Sequence, residues 1–189
     1  MTAGPPLDVA LAEGYVLRRA TPDDAAALAA AVQENRAHLA PWEPLRTAAY
    51  FTVEDQRSRL VARASEDAAG RSITALIVAD DGTVAGSVNL NDIVAGAFGN
   101  GHLGYWLAEA HTGRGLMTGA VEGICGYARD LGLHRVQAAT LLHNEASQAV
   151  LKRTGFERIG LAPEYLYIAG SWQDHVLFQR ILGDDPPRS

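Results

Sequence analysis

Apolar positions along the chain fall into short runs and into longer stretches that repeat every three to four residues. This is the pattern of strands interleaved with helices. Residues 15–20 (Tyr-Val-Leu-Arg-Arg-Ala) read as a first strand, and Thr21-Pro22-Asp23-Asp24 reads as a helix start. Thr21 suits the cap, Pro22 the first helical position, and the two acids the positive end. A helix to about Arg36 is expected, then a turn through His38, Pro41 and Trp42, then a second helix over 52–69 opened by Thr52 with Asp55 three residues on. Residues 72–79 are a continuous apolar run, and 83–90 follow the turn Asp80-Asp81-Gly82, so the pair reads as a hairpin. Beyond it come a strand at 102–108, a helix at 116–131, a strand at 135–141, a helix at 145–154, and strands near 156–168 and 172–182. That order predicts one α/β domain spanning 1–189, a mixed sheet with helices packed on it. Loose tails are expected at about 1–12 and 183–189, where Asp-Asp-Pro-Pro cannot continue a strand.

Composition narrows the class. At 189 residues, 48% hydrophobic and 20% charged, the chain suits a folded domain with a sizeable core. Sixteen Lys and Arg against 22 Asp and Glu leave a formal charge of -6, opposite to the cation excess that a phosphate-backbone binder carries. Nucleic acid is therefore not expected as a partner. The segment 93–108 is broken by Gly96, Gly99, Asn100 and Gly101, and no apolar run is long enough to span a bilayer. The start carries Asp8 and Glu13 and lacks the apolar stretch of a secretory signal, and Cys125 is the only cysteine. A cytoplasmic protein away from membranes is expected, as monomer or homodimer. The six histidines form no zinc spacing, since His102 and His111, like His134 and His143, lie nine apart. No metal is expected, and the histidines read as surface or supporting groups.

The most informative segment runs from Gly104 to Thr118. Gly113 and Gly115 flank Arg114 just before a helix. Glycines let backbone N–H groups approach a ligand, and a helix start adds unpaired donors and roughly half a positive charge. Such a loop can hold a pyrophosphate, with Arg114 adding a full charge. It is neither a Walker loop nor a dinucleotide fingerprint, and the same Gly-x-Gly pair also serves as a plain tight turn. The glycines of the following helix (Gly119, Gly123, Gly126) read as close helix-to-sheet packing, and Cys125 among them as a small buried hydrophobe.

A second segment runs from His143 to Phe156. Asn144 suits an N-cap, Gly155 a left-handed stop, and Lys152 and Arg153 the negative helix end. Ser147 falls in the first turn, where its hydroxyl can face a cleft between strands or simply cap the helix. Together, Gly104-Tyr105-Trp106-Leu107, Thr112-Gly113-Arg114-Gly115-Leu116-Met117, Asn144-x-x-Ser147 and Lys152-x-x-Gly155-Phe156-Glu157 closely resemble the GNAT superfamily, in its RimL/RimJ branch of ribosomal-protein N-terminal acetyltransferases. Trp42-Glu43-Pro44 and Trp172-Gln173-Asp174-His175 fit that branch as well, and the resemblance covers about residues 14–182. Thr112 stands where the superfamily's loop usually opens with Gln or Arg. The branch's strand carboxylate falls by spacing on Leu166, with Glu164 two residues away and, by strand alternation, on the same face.

The resemblance implies a mostly antiparallel sheet splayed in the middle, with acetyl-CoA lying between residues 105–107 and 138–141. Backbone groups of Trp106 and Leu107 would pair with the pantetheine, and those of the loop (Thr112, Gly113, Arg114, Gly115, Leu116, Met117, Thr118) would hold the pyrophosphate. Asn144 would bond the pantetheine, and Lys152 or Arg153 the ribose phosphate. Ser147 would protonate the departing thiolate, and Glu164, His38 or water would take the amine proton. The attack would be direct, since Cys125 sits mid-helix and makes a poor nucleophile. Trp42, Tyr165 and Tyr167 read as loop or core anchors, and the resemblance sets them near the acceptor mouth. The implied acceptor is a protein N-terminus. A small-molecule amine, or acyl-CoA binding without catalysis, are the competing readings.

Overall fold

In the computed structural model, which describes residues 6–11 and 14–184, the apolar run 73–79 explains the layering. This strand, β3 (Ile73–Ala79), sends Ile73, Ala75 and Ile77 into one hydrophobic cluster and Leu76 and Val78 into another. Both faces are covered, so the strand shows no polar alternation. The larger cluster lies under α4 (Leu116–Asp130) and includes Leu151 of α5 (Glu145–Arg153). The smaller lies under α1 (Ala25–Glu34) and α3 (Val53–Ala68). Burying each such side chain stabilises the fold by roughly 1.5–3 kcal/mol relative to exposure.

Among the described residues, eight strands form one sheet in the order β1-β2-β3-β4-β5-β6-β8-β7. Besides β3 they are β1 (Asp8–Ala10), β2 (Tyr15–Arg19), β4 (Val84–Val94), β5 (Asn100–Leu107), β6 (Arg135–Leu141), β7 (Glu157–Ile168) and β8 (Ser171–Ile181). All neighbours are antiparallel except β5 and β6. The expected mixed, mostly antiparallel sheet with flanking helices is what forms.

Three local expectations need correction. Asp8, Val9 and Ala10 are an edge strand paired with Arg18, Leu17 and Val16, not part of a loose tail; residues 1–5, 12 and 185–189 of the expected tails lie outside the described residues. The first helix opens with a 3-10 turn (Pro22–Asp24), where the Asp24 carboxylate accepts from the Thr21 backbone N–H at 2.7 Å. The helix then breaks at Asn35 before the short α2 (Arg36–Leu39). The buried Asn35 side chain donates to the Ala31 carbonyl and accepts from the Glu109 N–H at 2.9 Å, which ties the break to the segment before the glycine loop.

Candidate active site

Strands β5 and β6 pair only from Asn100↔Arg135 to Leu103↔Ala138. Beyond that point β5 stays on β4 to Gly86↔Leu107, and β6 stays on β8 to Leu141↔His175. The two central strands therefore diverge, each held by its outer neighbour. N–H and C=O of one residue point to the same side of a strand, and the side alternates. The Ala108 N–H bonds to Ala85 across β4, and the Gly99 carbonyl accepts from Arg135 of β6. The backbone groups of Tyr105 and Leu107 therefore face the gap, whereas those of Trp106 face β4. This corrects the expected pairing role of Trp106, whose side chain packs against the smaller cluster instead. Across the gap, Ala139 presents its own groups by the same alternation, whereas the Leu141 carbonyl already accepts from the Asn144 N–H at 3.0 Å.

The glycine loop closes the end of the gap. Gly113 and Gly115 have φ of 76° and 75°, and Gly115 caps α4 in the left-handed conformation. Leu116 and Met117 are buried at 1% and 5% exposure, so their side chains are core and only their N–H groups are available to a ligand. The Thr112 hydroxyl donates to the Glu109 carbonyl at 2.9 Å, closing its own turn. Arg114 reaches back to the Tyr15 hydroxyl (3.1 Å) and the Ala110 carbonyl (3.4 Å), and Tyr15 also bonds His111 Nδ1 at 2.8 Å. Donors for a phosphate at this loop are thus chiefly the unpaired N–H groups of the first turn of α4. Of the α4 glycines, an added Cβ would meet Leu11 at Gly119, and Val9 and Leu17 at Gly123, all at 3.3 Å, while Gly126 faces open space. Close packing accounts for the first two.

The second expected segment meets β5 directly. Asn144 caps α5 through Oδ1, which accepts from the Ser147 N–H at 3.1 Å and leaves the amide N–H groups for another partner. Ser147 Oγ lies 2.8 Å from the Tyr105 hydroxyl, which also donates to the Ser147 carbonyl at 3.1 Å. Burial pushes the Tyr105 phenol up to about 12 against the smaller opposing effect of Ser147, so it keeps its proton at any physiological pH. Sequence alone does not mark Tyr105 as a partner of Ser147, because only the fold brings the two together across 42 residues. Lys152 and Arg153 stand exposed in the last turn of α5.

Trp42 lies with its ring centroid 5.4 Å from that of His143, beside the α5 cap. Its neighbour Glu43 accepts from the Ala169 N–H at 3.0 Å, which ties this turn to the tip of the β7–β8 hairpin. Tyr167 stacks edge-on against Trp172 (5.6 Å), and Tyr165 lies 5.6 Å from His175, so both expected tyrosines belong to this hairpin and stand half exposed. The placement of Glu164 on the face of Leu166 fails. The β7 register shifts between Ala162 and Leu166, and Glu164 itself has φ 46°, so strand alternation does not carry through. Its N–H is held by Asp174 at 2.9 Å, and its side chain is exposed. Cys125 is buried, and burial pushes its thiol up to about 11. Among the described residues no group of three His, Cys, Asp or Glu comes together as a metal site, and no helix is long and apolar enough to cross a membrane.

On the opposite face, between the sheet and α1/α3, a cavity of about 290 Å³ reaches the backbone at Gly104–Trp106. Its wall carries Glu43, Arg46, Tyr50, Arg59 and Arg63. The spacing of Gln56, Arg59, Leu60 and Arg63 along α3, one face of a helix, was the signal that could have found it.

A model of the acetyltransferase (GNAT) domain matches residues 15–157. The chain is 35% identical over 164 residues to the [ribosomal protein uS5]-alanine N-acetyltransferase of Escherichia coli (strain K12), covering 86% of this chain and 84% of that one. Its fold is similar to the ribosomal-protein-S5-alanine acetyltransferase of Vibrio fischeri, with TM-score 0.90, 35% identity, and coverage of 94% and 97%. Mycobacterium smegmatis RimJ in complex with CoA-disulfide aligns with TM-score 0.83 and 31% identity over 88% of this chain and 81% of that one.

Proposed function

Because the chain belongs to the GNAT acetyltransferase family, in its RimJ/RimL-like branch, we propose that this acetyl-CoA-dependent N-acetyltransferase transfers its acetyl group to the α-amine of a protein N-terminus. The observation that carries the reading is the divergence of β5 from β6 with the Ser147–Tyr105 pair on the diverging strand. Proteins similar along most of the chain bear the names of enzymes that acetylate the N-terminal alanine of ribosomal protein uS5.

The cofactor's pantetheine arm lies in the gap as an added strand, bonded by backbone groups of Leu107 and Tyr105, with the Asn144 amide as a side-chain donor. Its pyrophosphate rests on the N–H groups from Gly113 to Thr118, and Lys152 meets the ribose phosphate. The RimJ structure similar to this chain holds CoA as a disulfide, in keeping with such a site. The neutral amine attacks the thioester carbonyl carbon, and gap-facing N–H groups hold the oxyanion that forms. As the C–S bond breaks, Ser147 gives its proton to the thiolate and regains one from solvent, to which the acceptor nitrogen loses its own. With Glu164 displaced by the bulge, no carboxylate is assigned to that proton. An α-amine, with a pKa near 7.7–8.0, is partly neutral without a strong base, whereas a lysine side chain near 10.4 is not. Trp42, Tyr165 and Tyr167 border the acceptor entrance.

The test is acetylation of a peptide carrying both an α-amine and a lysine, read by mass spectrometry at low conversion, beside a thiol-release assay over small amines. Acetylation at the α-amine, rising through about pH 7 to 8.5 with the amine's own titration, is the expected result. Acetylation found mainly on lysine, or on a small amine alone, refutes the reading.

A further inference from the structure

The cavity beneath α1 and α3 has a charge sign opposite to that of the whole chain. Its wall carries three guanidinium groups, Arg46, Arg59 and Arg63, against the single carboxylate Glu43, in a protein of net charge -6. These cations are held in place. The Arg46 and Arg59 guanidinium carbons lie 4.3 and 5.0 Å from the centroid of the Tyr50 ring, so one aromatic face-and-edge system gathers two like charges. Each is anchored through Nε only, to Glu43 at 2.8 Å and to Asp55 at 2.5 Å, which leaves the outer nitrogens of both without a hydrogen-bond partner among the described residues. Arg63 has no ion-pair partner among the described residues. It donates to the neutral Asn91 amide oxygen at 2.5 Å, while Glu66 one turn on is paired with Arg71. Thr74, on the same wall, has a buried hydroxyl without a hydrogen-bond partner.

All three arginines are exposed, so an anion arriving from solvent can reach them. Here they converge on a concavity that reaches the reacting strand at Gly104–Trp106, and clustered like charges are relieved when an anion arrives. We infer that this cavity reads an acidic side chain carried by the acceptor within a few residues of the amine that reacts, with Arg63 as its principal contact. The inference deepens, and rests on, the N-terminal acceptor proposed above. The substrate class is a protein N-terminus followed closely by aspartate or glutamate.

The test uses the full chain with saturating acetyl-CoA and peptides that share one N-terminal residue and differ only at the next few positions, which carry Glu, Gln or Lys. Site-specific α-acetylation is read by mass spectrometry and kcat/KM by thiol release. Glu peptides are expected to exceed their Gln counterparts by about five- to tenfold, mostly through KM, with Lys peptides slowest. In Arg63→Gln the Glu advantage should fall to about twofold or less, with kcat/KM for the Gln peptide and acetyl-CoA affinity unchanged. Arg63→Lys should keep part of the advantage, and Arg63→Glu should invert the order in favour of Lys. Equal kcat/KM for Glu and Gln peptides, or an Arg63→Gln loss that is the same for both, overturns the inference and leaves the N-terminal reading standing. Failure of every peptide α-amine while small amines react overturns both.

Discussion

Gly86 tests whether the gap geometry is set by β4. It sits opposite Leu107, and a Cβ built there would lie 2.5 Å from the Trp106 carbonyl oxygen, 3.0 Å from Leu107 Cδ1 and 3.3 Å from Leu107 Cα. Ordinary contact begins at 3.4 Å, so relief of the first clash needs a displacement of 3.4 − 2.5 = 0.9 Å. The obstacle is backbone, and that backbone is the segment of β5 that borders the gap. Overpacking of this kind costs about 1–3 kcal/mol. For a domain of this size each kcal/mol lowers Tm by about 2–4 °C, so Gly86→Ala should melt about 2–12 °C early. A displaced Leu107 also weakens at least one backbone bond to the cofactor, about 0.5–1.5 kcal/mol, or roughly two- to twelvefold in Kd for acetyl-CoA. Thermal melts and isothermal titration read the two effects. Gly126→Ala is the control: its Cβ meets nothing within 4 Å in a helix interior, and it should stabilise by about 0.5–1 kcal/mol with Kd unchanged. A Gly86→Ala protein that melts and binds acetyl-CoA like the parent refutes the reasoning.

Ser147→Ala should lower kcat by roughly 10²–10⁴ with little change in KM for acetyl-CoA, checked by steady-state kinetics, whereas Tyr105→Phe, which removes only the hydroxyl that holds Ser147, should cost less. Tyr105 also gives a pH signature: raised from 10.0 to about 12 by burial, its protonated form contributes on the order of 2–3 kcal/mol of stability that is present below pH 10 and lost as pH rises through 12, so Tyr105→Phe should flatten the alkaline end of a stability profile from denaturant melts. Gly113→Val or Gly115→Val, forced into φ near 75° with no space conflict, should weaken acetyl-CoA binding through the misplaced backbone, and Arg114→Ala, whose guanidinium already bonds Tyr15 and Ala110, should weaken it less in the same titration.

What could be read in advance was whatever local rules determine. The element order, the turn at Asp80-Asp81-Gly82, the glycine loop and the Asn144 cap each follow from neighbours within a few residues. Residues 135–141 form the expected strand to the residue, because apolar pattern and flanking breakers agree there. Apart from the 3-10 opening of the first helix, which Thr21 and Asp24 set locally, the misses share one cause, a partner distant in sequence. The edge strand Asp8–Ala10 exists through its pairing with β2, not through any pattern three residues can carry. The helix ends at Asn35 because that side chain is claimed by Glu109, 74 residues away. Glu164 left its expected face because the β7–β8 register slips, and a bulge is a property of two strands. The Tyr105 bond to Ser147 and the Tyr50 cluster of arginines are tertiary in the same sense.

The same contrast explains how the gap is held. Parting two central strands leaves backbone donors and acceptors unpaired, and if buried each would cost about as much as a lost hydrogen bond. Here the outer neighbours bear the structure: β4 carries β5 out to Leu107, and β8 carries β6 out to Leu141. Tyr105, Leu107 and Ala139 at these edges are only partly buried, so solvent can reach them. An edge that is fixed and polar and lies across a gap from another such edge favours a ligand that can itself bond like a strand. A pantetheine arm, with two amides in an extended chain, meets that demand, and a compact ligand of equal size does not. Closure of the sheet would remove the gap and leave Ser147 facing a paired strand, so the acetyl transfer proposed at this position depends on the divergence that β4 and β8 hold.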